Sequence, residues 1–198
     1  VLGCIVTYVT ARGLFDRRSG WYASFALATS ILYFAMAHTI TLDMAVSVFL
    51  TACLSAFILA VDLPEGRKRN GLLWTAYVFA GFAVLTKGLI GLLLPAAVIG
   101  IWILVSWQWK LLLKINLFSG VLLFLGVTIP WHVLVQNSNP EFFHFYFIDQ
   151  HFLRYFTLYA KRYQPDWFFI PVLLLGFFPW VIFLFQAFKQ YCLAIWQN

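Results

Sequence analysis

Charged side chains are scarce in this chain of 198 residues: Asp, Glu, Lys and Arg make up 10% of it, and only seven residues are acidic. Soluble domains typically carry about 25% charged residues, so the composition excludes an ordinary soluble protein. Apolar side chains account for 63% of the sequence, and the mean hydropathy is +0.88. We therefore expect the chain to lie in a lipid bilayer.

Cysteine and nucleotide-binding motifs are also nearly absent. Cys4, Cys53 and Cys192 lie in apolar runs, without the spacing of a disulfide pair or a metal site. No glycine-rich phosphate loop occurs. The net charge of +6 comes from short basic clusters between apolar runs, which is not the pattern of a nucleic-acid-binding face. We expect membrane lipids as partners and no nucleic acid.

Apolar runs of the length of a membrane span, roughly 20 residues, recur along the whole chain. They predict an all-α, polytopic transmembrane bundle that forms a single domain over residues 1–198. Because the first residue is Val rather than Met, we expect the chain to be part of a longer protein. One partial span and about six complete ones are predicted, at 1–11, 21–37, 40–61, 72–85, 89–107, 115–135 and 167–187.

Basic residues mark every second loop between these predicted spans. By the positive-inside rule, those loops are cytoplasmic. The opposite helix ends then lie outside, and three polar interruptions of the apolar pattern share that side: Asp43, Lys87, and segment 136–166 with His151 and Arg154. The loop residues that give this orientation are Arg12, Arg17 and Arg18, then Arg67, Lys68 and Arg69, then Lys110 and Lys114, and finally Lys189.

Asp43 and Lys87 each have a structural and a functional interpretation. An acidic residue in the first turn of a helix is favoured by the helix dipole, yet Asp43 stands at the edge of the hydrocarbon, where a carboxylate needs a partner. His38 is one candidate for that partner. Lys87 could simply extend its ammonium to the headgroups. Alternatively, the cation beside Gly88 offers a phosphate both charge and open backbone access.

The outer segment 136–166 is predicted to contain an amphipathic interfacial helix. At 100° per residue its polar side chains, including His151 and Arg154, fall on one face, and the rest is mostly aromatic. Such a helix is either a membrane anchor at headgroup depth or part of a site. Lys87 and Arg154 together would hold a lipid phosphate and stabilise the charge on it if it leaves.

The motifs, in their order along the chain, resemble those of the bacterial lipid A aminoarabinose transferases, which belong to the protein O-mannosyltransferase-like group of GT-C glycosyltransferases. The resemblance covers residues 31–180. It is carried by Thr-Leu-Asp43, Leu-Thr-Lys87-Gly, Pro130-Trp131, Asn139-Pro-Glu-Phe-Phe-His-Phe-Tyr-Phe, His151-Phe-Leu-Arg154-Tyr-Phe, Pro165-Asp-Trp-Phe-Phe-Ile-Pro171 and Phe-Pro179-Trp180.

This resemblance implies a multi-pass enzyme of the bacterial inner membrane that takes a sugar from a polyprenyl phosphate on the periplasmic side and passes it to a lipid or protein. It implies phosphate-binding roles for Lys87 and Arg154, an organising role for Asp43, and a cleft-lining role for Trp131. His151 would be a polar group that contacts substrate or a divalent metal.

Two departures from the family pattern limit what can be carried over. Relatives place an essential acidic residue in an outer loop before the equivalent of Val1, so we expect the general base outside this chain and expect the chain alone to be inactive. Relatives also often have Glu where this chain has Gln150, which speaks against a metal at the neighbouring His151.

Two other functions fit the same composition. A transporter or lipid flippase would use similar apolar bulk, although such proteins tend to place polar groups near the middle of the bilayer and to show repeated halves. A non-catalytic assembly partner would need only the charge and amphipathicity of the outer segment. It would therefore tolerate Lys87→Arg, whereas a phosphate site would be less tolerant.

Overall fold

The computed structural model describes residues 1–39, 41–153 and 165–196, and within these ranges it contains helices and no strand. This all-α architecture agrees with the prediction. Short 3-10 turns lie at Trp109–Leu113 and Asp166–Phe168, and a π-helical segment lies at His144–Leu153. The α-helices are α1 Leu2–Leu14, α2 Arg17–Thr29, α3 Ile31–Ala37, α4 Leu42–Val61, α5 Arg67–Lys87, α6 Ile90–Val105, α7 Leu117–Ser138, α8 Phe169–Gly176 and α9 Val181–Trp196.

Polar and glycine residues set several helix ends within this apolar sequence. The Asp16 carboxylate accepts a hydrogen bond of 2.6 Å from the backbone N–H of Ser19 and so caps α2. At the other end of the bundle, α5 stops at Gly88, whose φ of 81° is readily adopted only by glycine. These local signals fix where each apolar run turns.

The packed core lies where α4 crosses α5. Small side chains face each other there, which lets the two backbones approach closely, as is common between membrane helices. Leu73, only 1% exposed, is among the largest buried side chains of this contact. The small buried residues are Ala52, Cys53, Ala56 and Ala60 on α4 and Ala76, Ala80 and Ala83 on α5.

Away from this contact the surface is strongly apolar, as Leu113 (90% exposed) and Phe118 (81% exposed) illustrate. Exposed apolar surface of this extent is expected for a protein that faces lipid. Among the described residues, two helices, α4 and α7, are long and apolar enough to span a membrane. Counting each of two bent pairs as one span, α2 with α3 at 67° and α8 with residues 181–187 at 110°, raises the number to at most four.

The predicted count of six complete spans is therefore higher than the described helices support by length and composition. The predicted spans 21–37 and 167–187 are each broken into two helices. The helix predicted from residue 72 instead begins at Arg67, so three basic residues that were predicted to lie in a loop form its first turn. Helices α1 and α6, with 13 and 16 residues, fall short of a full span.

The outer segment is helical over His144–Leu153, but with π geometry. Its turns are wider than those of an α-helix, so the face predicted at 100° per residue does not apply there. The His144 side chain is largely exposed, and its Nδ1 lies 3.7 Å from the Asp149 carboxylate. The rest of the predicted amphipathic helix, including Arg154, lies outside the described residues.

Candidate functional site

The N-terminal end of α4 meets the C-terminal end of α5, and this contact carries an ion pair between Asp43 Oδ1 and Lys87 Nζ. Asp43 stands in the first turn of α4, and Lys87 is the last residue of α5. Each charge is favoured by the dipole of its own helix. The sequence predicted that these two residues lie on the same side of the membrane, and the structure brings them into contact.

Both partners of this ion pair are open to their surroundings, with side chains 46% (Asp43) and 48% (Lys87) exposed. An ammonium group has three N–H donors, so the contact with Asp43 leaves others to bind a second anion. The pair is neutral overall and accessible, which suits a site that takes up and releases a charged ligand.

Asp43 also borders a cavity of about 320 Å³ enclosed by α2, α3, α4 and α8. Its volume lies at the lower end of small-molecule pockets, which range from about 300 to 1,000 Å³. Polar groups from Ser30 and Ser47 line it together with the apolar side chain of Leu173. The bends that break the two predicted spans occur in the helices that form these walls, so the breaks shape the cavity.

The turn after Lys87 is held close to the bundle by glycine. At Gly91, in the first turn of α6, a Cβ atom would lie 2.4 Å from the backbone C of Ala83 and from the backbone N of Val84. Any side chain would collide with the α5 backbone there. This close approach fixes the start of α6 beside the helix end that carries Lys87.

His38 does not have the predicted partner. Its Nδ1 lies 2.8 Å from the carbonyl oxygen of Phe34, and its ring lies against the Phe34 ring, with centroids 4.3 Å apart. Within the described ranges, no ion pair joins His38 to Asp43, whose carboxylate is engaged by Lys87 instead. The i,i−4 geometry of α3 directs the imidazole back onto its own helix.

Trp131 lies on α7 in an aromatic group with His132, Phe142 and Tyr146. Its ring packs edge-on against Phe142, with centroids 5.6 Å apart, and it is 42% exposed. Beside this group a second cavity of about 490 Å³ opens, lined by His132 and Tyr146 among others. His132 is not among the site residues predicted from the sequence. An ionisable residue inside an apolar span was the available signal.

The structure does not test the roles predicted for His151 and Arg154, because the His151 side chain and all of Arg154 lie outside the described part of the chain. Among the residues that are described, no group of three or more His, Cys, Asp or Glu side chains could hold a metal ion.

A second charged cluster lies at the opposite, basic end of α5. The Glu65 carboxylate lies 2.8 Å from Lys114 Nζ and 3.7 Å from Arg69 Nη1. The hydrogen bond from Lys114 and its positive charge, with a smaller contribution from Arg69, lower the pKa of Glu65. Arg69, which is buried, also donates to the Lys114 carbonyl at 3.3 Å, so this cluster ties the α6–α7 connection to α5.

An all-α bundle with a strongly apolar surface and helices long enough to span a membrane defines a polytopic membrane protein. The sequence agrees: residues 1–134 match the sequence model of the family described as dolichyl-phosphate-mannose-protein mannosyltransferase. The chain belongs to this family.

Two of the similar curated proteins are arabinosyl transferases. The chain is 29% identical over 184 residues to the undecaprenyl phosphate-alpha-4-amino-4-deoxy-L-arabinose arabinosyl transferase of Shewanella sediminis, covering 92% of this chain and 33% of that protein. A second relative is the undecaprenyl phosphate-alpha-4-amino-4-deoxy-L-arabinose arabinosyl transferase 1 of Proteus mirabilis. It is 31% identical to this chain over 164 residues, and the match covers 82% of this chain and 29% of that protein. The chain thus spans about a third of these curated relatives.

Solved structures of a similar protein share the fold. The crystal structure of ArnT from Cupriavidus metallidurans bound to undecaprenyl phosphate superposes with a TM-score of 0.88 at 33% identity, over 95% of this chain and 34% of that one. The apo structure of the same protein gives a TM-score of 0.82 over 91% of this chain and 32% of that one. The GT-C fold predicted from the sequence is confirmed.

Proposed function

We propose that this chain forms part of a membrane glycosyltransferase that moves a sugar from a polyprenyl-phosphate-linked donor to an acceptor of the lipid A type, or to a protein acceptor. The observation that carries the proposal is the accessible Asp43–Lys87 pair beside a cavity. It is supported by similarity to a relative that was solved with undecaprenyl phosphate bound.

In the proposed reaction, an acceptor hydroxyl attacks the anomeric carbon of the donor sugar. The bond from that carbon to the phosphate oxygen breaks, and its electron pair stays on the phosphate. The ammonium of Lys87 stabilises the charge that develops there, a form of catalysis that acts only as the bond breaks. The hydroxyl proton passes to a general base, which the proposal assigns to no described residue of this chain.

Asp43 has an organising role in this proposal. Its carboxylate, which borders the cavity, holds the Lys87 ammonium in place before the donor arrives, so less side-chain freedom is lost when the phosphate binds. Arg154 is proposed as the second phosphate-binding cation, since its planar guanidinium suits a phosphate. The proposal assigns no step to a divalent ion at His151, because Gln150 stands beside it where relatives often have Glu; chelation tests this.

The proposed location is the bacterial inner membrane, with the Asp43–Lys87 pair facing the periplasm. The support is the alternation of basic loops: α5 begins, at the end opposite Lys87, with Arg67, Lys68 and Arg69, which the positive-inside rule assigns to the cytoplasmic side. A donor reaching Lys87 would then come from the outer leaflet.

Membranes containing the full-length protein, supplied with a polyprenyl-phosphate-linked sugar and lipid A, test this proposal. We expect lipid A to gain the mass of the sugar, as measured by mass spectrometry. If the membranes instead carry the intact donor or another solute across the bilayer without any sugar transfer, the protein is a transporter or flippase and the proposal is wrong.

A further inference from the structure

Three polar residues follow one face of α7, an otherwise apolar helix. Thr128, His132 and Gln136 are spaced four residues apart, so they lie above one another on the same side. All three line the cavity of about 490 Å³ described above. A polar row in a helix apolar enough to span the membrane is costly unless its groups are satisfied, so each must be accounted for.

Two of these side chains make hydrogen bonds to the backbone of the protein itself. Thr128 donates from its hydroxyl to the carbonyl of Phe124 at 3.0 Å. The Gln136 amide donates to the carbonyl of Pro140 at 2.9 Å and accepts from the backbone N–H of Phe143, also at 2.9 Å. These two bonds hold the start of the outer segment, at Pro140 and Phe143, against α7, and both Gln136 and Phe143 line the cavity.

His132 is different, because only one of its ring nitrogens is used by the helix. Nδ1 lies 2.8 Å from the carbonyl oxygen of Thr128. A carbonyl can only accept, so Nδ1 carries the proton, and in the neutral ring Nε2 presents a lone pair. That lone pair can accept a hydrogen bond from a hydroxyl group placed in the cavity.

The walls of the cavity suit an amphiphile that carries a sugar. Most of the lining is apolar, part aliphatic and part aromatic, while the polar side chains lie on α7 and the rings of Phe142 and Tyr146 stand beside His132. Aromatic rings pack well against the apolar faces of a sugar ring. The aliphatic remainder accommodates a hydrocarbon chain through Val84, Leu89, Leu92, Ile129 and Val133.

His132 is also at nearly the same depth as Lys87. Helix α5 packs against α7 at Gly81, where a Cβ atom would lie 2.9 Å from Cγ1 of Val127. At 1.5 Å per residue, Lys87 stands about 9 Å beyond Gly81, and His132 about 7.5 Å beyond Val127. Because both helices run toward the outer side, His132 on α7 stands at about the same level as Lys87 at the end of α5.

We infer that His132 binds a sugar hydroxyl of a lipid substrate through Nε2, with the lipid chain in the cavity between α5, α6 and α7. This inference rests on the proposed function and adds a sugar-recognition residue to it. Two substrates share the required chemistry, a sugar attached to apolar chains: the polyprenyl-phosphate-linked donor and a glycolipid acceptor such as lipid A. The experiment separates them.

The test compares His132→Asn with His132→Gln in the full-length protein. The Asn amide can keep the bond to the Thr128 carbonyl but does not reach the cavity, whereas the longer Gln amide can present its oxygen where Nε2 stood. We expect His132→Asn to raise the KM for one sugar lipid about 10-fold, the effect of losing one hydrogen bond. His132→Gln should stay near the wild-type KM.

The substrate whose KM rises is the one that occupies the cavity. His144→Asn, which changes a histidine outside the cavity lining, is the matched control and should leave both KM values unchanged. The inference is overturned if His132→Asn matches the wild type, or if His132→Gln is as impaired as His132→Asn, since the latter indicates a packing role only.

Equilibrium binding of the same two lipids to these variants, measured without turnover, separates this inference from the proposed function. Weaker binding to His132→Asn than to His132→Gln supports the site even if no sugar transfer occurs. Equal binding of both lipids to all three proteins contradicts it, whatever the transfer assay shows.

Discussion

Replacing Lys87 by Ala should abolish sugar transfer while barely changing stability. The Asp43–Lys87 pair is about half exposed on both sides, and exposed ion pairs contribute only about 0–1 kcal/mol to the free energy of unfolding. By contrast, loss of one group that stabilises developing charge lowers kcat by about 10²–10³-fold. The assay is transfer from a polyprenyl-phosphate-linked sugar by the full-length protein, with thermal unfolding measured in parallel.

A charge-swapped protein separates the pair's structural role from its proposed phosphate-binding role. Asp43→Lys combined with Lys87→Asp restores an ion pair across the same contact. Because each charge then opposes the dipole of its helix, the swapped protein should be about 1–2 kcal/mol less stable than the wild type. Its cation stands on α4, so transfer should not return. Lys68→Ala, at the opposite end of α5, is the matched control and should remain active. Normal turnover by Lys87→Ala, or recovery of activity in the swapped protein, would refute the phosphate-binding role.

Three further predictions concern stability and metal dependence. Because the hydrogen bond from Lys114 lowers the pKa of Glu65 below its ordinary value of 4.5, the stabilisation is present above that pH and is lost as the pH falls through the lowered pKa. The melting temperature of Glu65→Gln should therefore fall less than that of the wild type on acidification; equal falls would contradict the assignment. Gly91→Val, whose side chain collides with the α5 backbone at Ala83 and Val84, should cost about 1–3 kcal/mol of unfolding free energy in chemical denaturation, and an unchanged midpoint would show that α6 is free to move. Chelation by EDTA should leave the transfer rate unchanged. A loss of transfer that added divalent metal restores would contradict this prediction.

The parts of the fold that depend on apolar length were predictable from the sequence. Helix α4 and helix α7 were predicted at 40–61 and 115–135, and the structure has them at Leu42–Val61 and Leu117–Ser138. The breaks were not predicted. The chain bends at Ser30 although neither proline nor glycine marks the position, so hydropathy alone favoured one continuous helix.

The contact between Asp43 and Lys87 could be anticipated only as a shared side of the membrane. Charge alternation gives the side of each helix end, but which ends touch depends on helix packing, here the small residues between α4 and α5. His132 was not predicted as a site residue because its only sequence signal was one histidine within an apolar run. Its proposed role depends on the cavity, which α7 lines together with residues of the outer segment.

The central claim is tested most directly by following both products of a single reaction. Purified full-length protein is mixed with a defined undecaprenyl-phosphate-linked sugar and lipid A, and the modified lipid A and the released undecaprenyl phosphate are quantified together. Our account predicts that the two products appear in equal amounts and that neither forms with Lys87→Ala. Release of undecaprenyl phosphate without modification of lipid A, or no reaction under conditions where both lipids bind, would contradict it.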